Sequence, residues 1–205
     1  MPDRGKLFVI AAPSGTGKTS LVKALMQRQP QLRFSVSYTT RPPRQNERDG
    51  VDYHFVTKDA FQGMVAAGEF LEHAQVFDNF YGTGVQAVQD ALAGGQHLLL
   101  EIDWQGAQQV RKRLPEGRSI FILPPSRAAL EERLRARSTD SDAVIRRRLQ
   151  DSVTELSHWS EFDHVVVNDD FQHALAMLEA IVEGRPVASS PQLPDIQALA
   201  ARLLA

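Results

Sequence analysis

Ala12-Pro13-Ser14-Gly15-Thr16-Gly17-Lys18-Thr19 lies between an apolar run, Leu7-Phe8-Val9-Ile10-Ala11, and a stretch with helical spacing, Ser20-Leu21-Val22-Lys23-Ala24-Leu25-Met26. The apolar run suits a buried parallel strand. Leu21, Val22, Leu25 and Met26 fall on one face of the helix that follows. Strand, glycine loop and helix, in that order, is the context a phosphate-binding loop requires. Gly15 and Gly17 let the backbone approach an anion closely, and the amides there point at a helix start that carries partial positive charge. Lys18 would reach the β- and γ-phosphates of a nucleotide, and the Thr19 hydroxyl would bind magnesium. An ordinary strand-to-helix turn is the competing reading; the Gly-Lys-Thr ending and its flanks weigh against it.

The loop resembles the P-loop of nucleoside triphosphate-binding proteins, with one departure. Ala12 stands where the general pattern has its first glycine. Outward from the loop, the chain alternates buried strands with helices. His97–Asp103 reads as a strand ending in two carboxylates, Glu101 and Asp103. Ser119–Leu123 is a third strand, stopped by Pro124-Pro125, and His164–Val167 a fourth. A helix then places Phe171, Leu175, Leu178 and Val182 on one face and stops at Gly184-Arg185-Pro186. The pattern predicts an α/β fold, a parallel sheet flanked by helices with binding loops at the carboxyl ends of its strands. Two insertions interrupt it: a mainly antiparallel lobe over 35–85 and a helical, arginine-rich segment over 126–160. The core is then 1–34, 86–125 and 161–185, and 186–205 is a linker with a short C-terminal helix. That helix could dock on its own core or on a second copy, as in a homodimer.

With 205 residues, 42% apolar and 23% charged, the composition is that of a soluble globular protein able to bury a sizeable core. A net charge of −2 gives no global attraction to nucleic acid or to an anionic membrane. The chain contains no cysteine, which excludes disulfides and thiolate chemistry and suits a reducing cytoplasm. Its six histidines match no metal-ligand spacing.

A second site lies in the inserted lobe, in Ser35-Val36-Ser37-Tyr38-Thr39-Thr40-Arg41-Pro42-Pro43-Arg44 and Asp49-Gly50-Val51-Asp52-Tyr53. Two arginines three apart, stiffened by prolines, could grip one phosphate with charge-assisted bonds. Five blocks in order, APSGTGKT, FSVSYTTRPPR, DGVDYHF, GEFLEHAQVFDNFYGT and LLLEIDWQGAQQVR, together with ERLRAR and VVVNDD, resemble the guanylate kinases, especially the bacterial ones, from about Lys6 to Gly184. The resemblance implies transfer of the γ-phosphoryl group of ATP to GMP. It implies that Arg41, Arg44, Tyr53 and Tyr81 hold the GMP phosphate. Glu72 would accept from the guanine N1–H and 2-amino group, with Ser37 and Thr83 at the O6 atom and Gly82 beside them. A carboxylate offers two parallel acceptors where guanine offers two parallel donors. By itself Glu72 is an acidic residue after Phe70-Leu71, a type usually left at the surface.

For the ATP side, the resemblance implies that residues Ala12 to Thr19 form the phosphate cradle. Asn168 and Asp169 would line the adenine pocket, although Asp169 or Asp170 could equally cap the next helix. Mg²⁺ would sit on Thr19, with waters oriented by Glu101 or Asp103. Asp103 is open to a second role, on GMP. Lys18, Arg133, Arg137 and Arg148 would stabilise the charge that spreads over the transferring group. Two other readings are weighed: a P-loop kinase with a different acceptor, and a guanylate-kinase-like module that grips phosphopeptides without catalysis. Glu72 with Ser37 and Thr83 argues against the first, and the retained Lys18, Thr19 and arginines against the second.

Overall fold

A computed structural model describes residues 4–76, 78–136 and 142–205. Along the chain run β1 (Leu7–Ala11), α1 (Lys18–Arg28), β2 (Leu32–Phe34), β3 (Tyr38–Thr39), β4 (His54–Phe55), α2 (Lys58–Ala66), β5 (Phe70–Val76), β6 (Asn79–Gly84) and α3 (Val85–Ala93). There follow β7 (His97–Glu101), α4 (Trp104–Arg113), β8 (Arg118–Leu123), α5 (Arg127–Arg135), α6 (Asp142–Leu156), β9 (His164–Val167), α7 (Phe171–Glu183) and α8 (Pro194–Leu204). Five strands form one sheet in the order β2-β7-β1-β8-β9, flanked by helices, and four form another in the order β4-β3-β6-β5. The pairs β2/β7 and β8/β9 are parallel, as expected for buried apolar strands without strict alternation. In the smaller sheet, β3/β6 and β5/β6 are antiparallel, and β3/β4 is parallel. The α/β fold with a separate, mainly antiparallel sheet is therefore as the sequence predicts. No described helix is long and apolar enough to cross a membrane.

The chain divides into two compact units, one of Met1–Phe8 with Gln31–Gly117, the other of Val9–Pro30 with Arg118–Ala205. In the first, the alternating run from Leu32 to Tyr38 is split. Leu32–Phe34 pairs with β7, whereas Tyr38–Thr39 pairs with β4 and β6. Phe61 of α2 stacks on Phe70 at 4.5 Å and on Phe80 at 5.6 Å, anchoring the helix beneath β5 and β6. The strand predicted over His97–Asp103 stops at Glu101. Asp103 is instead the N-cap of α4, its carboxylate accepting from the Gly106 N–H at 2.9 Å, which satisfies one of the orphan donors of the first turn.

In the second unit, Leu21, Val22 and Leu25 of α1 are buried as expected. α1 is tied to α7 by Arg28 with Glu179 at 3.4 Å and Gln29 with Glu183 at 2.7 Å. Asp170 caps α7, accepting from the His173 N–H at 2.8 Å, and Gly184 ends it in the left-handed conformation. Phe171 is half-exposed, so only Leu175, Leu178 and Val182 of the predicted face reach the core. Leu130 and Leu134 of α5 pack with Ile145 of α6 and the partly buried Leu149. The C-terminal helix α8 buries Ile196, Leu199, Ala200 and Leu203 and accepts from Arg127 Nε at the Leu203 carbonyl, 2.6 Å, so it docks on its own chain.

Candidate functional site

The loop between β1 and α1 takes the shape its glycines predict. Gly15 and Gly17 have φ of 89° and 90°, a backbone region closed to most side chains. Thr16, between them, is wholly buried, its hydroxyl donating to the Pro13 carbonyl at 2.8 Å. A Cβ on Gly15 would meet Leu134 at 2.9 Å, so this loop position also needs glycine to let α5 approach. Lys18 opens α1 and Thr19 follows it, exposed, in the first turn. The loop thus leads into the N-terminus of α1, a place that attracts anions.

Around this loop the structure places Asn168 and Arg133. Asn168, 5% exposed, donates its side-chain amide to the Thr16 carbonyl at 2.6 Å. Arg133 donates to the same carbonyl at 3.2 Å and to the Asn168 carbonyl at 3.0 Å. Asp169 is exposed and accepts from the Asp170 N–H at 2.7 Å. Arg148 lies on α6, half-buried. Arg137 lies outside the described residues.

In the first unit, Glu72 is not at the surface. It is 2% exposed on β5, where β6 brings Thr83, itself fully buried, into register with it. The Thr83 hydroxyl donates to Glu72 Oε1 at 2.5 Å. Burial pushes the Glu72 carboxyl up to about 7; the Thr83 bond opposes this and the nearby Asp103 charge adds to it. Asp103 accepts from Gln105 Nε2 at 3.0 Å as well as from the α4 backbone. One face of α4 is built for this strand, with residues three and four apart. A Cβ on Gly106 would lie 2.5 Å from Glu72 Oε2. Gln109 pairs with the backbone of His73, accepting at 3.1 Å and donating at 2.7 Å, as a strand neighbour would. Arg113 donates to the Phe70 carbonyl.

Arg41 is held from several sides. It pairs with Glu47 at 2.8 Å, donates to the Pro42 carbonyl at 2.8 Å and lies over the Tyr53 ring at 5.5 Å. Tyr53 meets Tyr81 edge-on at 6.1 Å. The Arg44 N–H donates to the second oxygen of Glu47 at 2.8 Å. The bond from Arg41 holds Glu47 below the ordinary carboxylate range, and the same bond raises Arg41. Ser37 is half-buried just before β3, its carbonyl accepting from the His54 N–H at 2.9 Å, and Gly82 is buried on β6. Glu101 ends β7, close enough for its charge to raise the Tyr53 hydroxyl, although burial is the larger cause. Arg41, Tyr53 and Tyr81 are therefore one cluster, and Glu72 and Thr83 another, in the same unit.

Reading the sequence missed Glu47, Gly106 and Gln109. Gly106 carried a signal, since glycine in a helix costs about 1 kcal/mol against alanine and asks for a packing reason. Gln109 carried none, because its partner His73 is 36 positions away and only the fold brings it near. Glu47 lies three and six residues from Arg44 and Arg41, but nothing in a polar loop marks which acid an arginine will take.

Residues 4–185 match the family model described as guanylate kinase. The chain is 54% identical to the guanylate kinase of Alcanivorax borkumensis over 205 residues, 100% of this chain and 99% of that protein. It is 51% identical to that of Chromohalobacter salexigens over 204 residues, 100% and 93% of the two. Among solved structures, the guanylate kinase from Anaplasma phagocytophilum superposes with a TM-score of 0.73 at 32% identity, covering 100% of this chain and 98% of that one. The chain belongs to the guanylate kinase family.

Proposed function

We propose that this chain is an ATP:GMP phosphotransferase, moving the γ-phosphoryl group of ATP to GMP, and to dGMP, to give ADP and GDP in guanine nucleotide metabolism. The observation that carries the reading is Glu72. A carboxylate is costly to bury, and this one is 2% exposed with Thr83 alone drawn up to it among the described residues, by its hydroxyl at 2.5 Å and by its backbone. Guanine would supply the missing compensation through its N1–H and 2-amino donors. Because Thr83 spends its one donor on Glu72, this reading assigns the O6 contact to Ser37 and makes Thr83 the partner that orients the carboxylate. Arg41, Arg44, Tyr53 and Tyr81 hold the acceptor phosphate, and Gly82 and Asp103 complete that side, so residues 35–85 are the GMP lobe.

On the donor side, the loop from Ala12 to Thr19, through its free backbone N–H groups, and the Lys18 ammonium cradle the ATP phosphates. Pro13 has no N–H, and that of Thr16 is turned to the Pro13 carbonyl. An ionised oxygen of the GMP phosphate attacks the γ-phosphorus, the bond to the β–γ bridging oxygen breaks, and ADP leaves. The acceptor is already an anion, so no general base is needed, and positioning with charge stabilisation does the work. Arg133 and Arg148, with Arg137, supply positive charge from the segment 126–160, which serves as the lid. Hydroxyl and carboxylate oxygens are the donors magnesium favours; Thr19 would hold it, with Glu101 or Asp103 orienting its waters, and it would offset charge on the donor phosphates. Closure excludes water, which would otherwise compete as acceptor. The cytoplasm, where both substrates reside, is the assigned compartment, in keeping with the absence of cysteine.

Coupled ADP release with Mg²⁺-ATP and GMP, AMP, UMP or CMP tests the reading, in wild type and Glu72→Ala. Turnover confined to guanine acceptors and reduced by about 10³-fold or more in the variant is the expected result. No turnover with any acceptor would overturn it in favour of a binding module, and turnover with another base would make this a kinase of different specificity.

A further inference from the structure

The Thr16 carbonyl is held by two side chains from outside the loop. It has two lone pairs and receives two donors, Asn168 Nδ2 at 2.6 Å and Arg133 Nη1 at 3.2 Å. The two clamping residues are themselves joined, because Arg133 Nη2 donates to the Asn168 carbonyl at 3.0 Å. Asn168 is in turn fixed by its own N–H, which donates to the Leu123 carbonyl at the end of β8 at 2.9 Å. A trans peptide places the carbonyl of one residue and the N–H of the next on opposite sides of one rigid plane. Pulling the Thr16 carbonyl towards Asn168 and Arg133 therefore turns the Gly17 N–H the other way, into the loop. The clamp matters at this peptide in particular, because Gly17 (φ 90°) has no side chain to restrict its rotation. Its neighbours fit the same purpose: a Cβ on Gly17 would lie 2.6 Å from Asn168 Nδ2.

We propose that Asn168, braced by Arg133, is a positioning residue that aims the Gly17 N–H at the donor phosphates, and that it acts on the triphosphate and not on the adenine base. This rests on the nucleotide reading given above. With its side chain 5% exposed and one of its two amide hydrogens held by Thr16, Asn168 is turned into the loop rather than outward to a base. Arg133 has five N–H donors and uses two in the clamp, so the same side chain can brace the loop and still face the phosphates.

The test is calorimetric titration of Mg²⁺-ATP and of magnesium tripolyphosphate, with GMP as control ligand, in wild type and Asn168→Asp. The variant keeps the side chain's size and sets an oxygen where the donor stood. Because it also adds a negative charge near the phosphates, the neutral Asn168→Ala is titrated beside it and must show the same paired loss. Expected is a loss of about tenfold or more in affinity for both ATP and tripolyphosphate, by the same factor, with GMP affinity unchanged. The Gly17 amide resonance should shift in the ligand-free variant, which a contact with adenine alone would not cause. Loss confined to ATP, with tripolyphosphate bound as before, would overturn the proposal in favour of an adenine contact. Unchanged affinity for both, or an equal loss for GMP, would also overturn it. Should Asn168→Asp lack a cooperative melting transition, Asn168→Ala carries the test with the same outcomes. A wild type that binds neither phosphate ligand would sink the nucleotide reading and the clamp with it.

Discussion

The two units handle charge in opposite ways. Around Gly15 and Gly17 the proposed function puts backbone amides to use, and the side chains nearby hold backbone: Thr16 on Pro13, Asn168 and Arg133 on Thr16. Around Glu72 the proposed function puts side chains to use, and the backbone serves to hold them. β5 and β6 set Glu72 opposite Thr83, and α4 leaves room at Gly106. Amides cannot tell one phosphate ester from another, so the loop suits a common donor. A buried carboxylate rejects any base that lacks matching donors, so the other unit suits selection. Both depend on glycine, for different reasons: conformational freedom in the loop and bare volume in α4.

That contrast can be broken most forcefully at Gly106. A methyl group there would press on Glu72 Oε2 from 2.5 Å, and overpacking of this kind costs about 1–3 kcal/mol. Gly106→Ala should raise the GMP KM by up to about 100-fold and leave the Kd for ATP unchanged in equilibrium titration. The mirror experiment is Gly17→Ala, which forces a side chain into the left-handed region at about 1–2 kcal/mol and crowds Asn168. ATP affinity should fall about tenfold or somewhat more, and GMP affinity should hold. If either glycine variant weakened both substrates equally, the division of labour would fail.

Titration sharpens the comparison, since only the side-chain site holds a group poised near neutrality. Burial raises Glu72 to about 7, above its ordinary 4.5, so the folded chain holds this proton more tightly than the unfolded chain does. The stability it contributes is full below pH 4.5 and is lost as pH rises through about 7. Guanine demands the ionised form, so guanosine affinity, measured without the titrating phosphate, should rise about tenfold between pH 6 and pH 8. Glu72→Gln should remove both the slope in affinity and the corresponding slope in Tm. The smallest effect is expected at Glu47, whose pair with Arg41 is mostly but not wholly buried. Glu47→Gln should raise the GMP KM about threefold to fivefold with kcat nearly unchanged, because it loosens Arg41 without removing it. A fall in kcat alone would argue that Glu47 does more than orient the arginine.

Legibility in the sequence followed the same division. The strand, loop and helix at 7–28 were readable because glycine, lysine and hydroxyl positions are set by neighbours a few residues away, as were β8, β9 and the buried face of α7. His97–Asp103 was read two residues too long, by Ile102 and Asp103, since an Asp that ends a strand and one that starts a helix look alike until Gly106 N–H is seen to meet it. Leu32 to Tyr38 alternates like one strand, yet its two ends serve different sheets, a choice made by β7 and β6 and not by the run itself. For Glu72 the local sequence favoured exposure, and only the family resemblance pointed to a buried role.

What the sequence alone determined is the α/β architecture, the glycine loop between β1 and α1 and the family, because all three are written in short spacings and ordered blocks. Tertiary structure decided that Glu72 is dehydrated, that Thr83 is its partner, and that Asn168 reaches across 152 positions to hold Thr16. The physical reason is that backbone conformation answers to nearby residues, whereas desolvation and hydrogen-bond partnership answer to whatever the fold packs alongside.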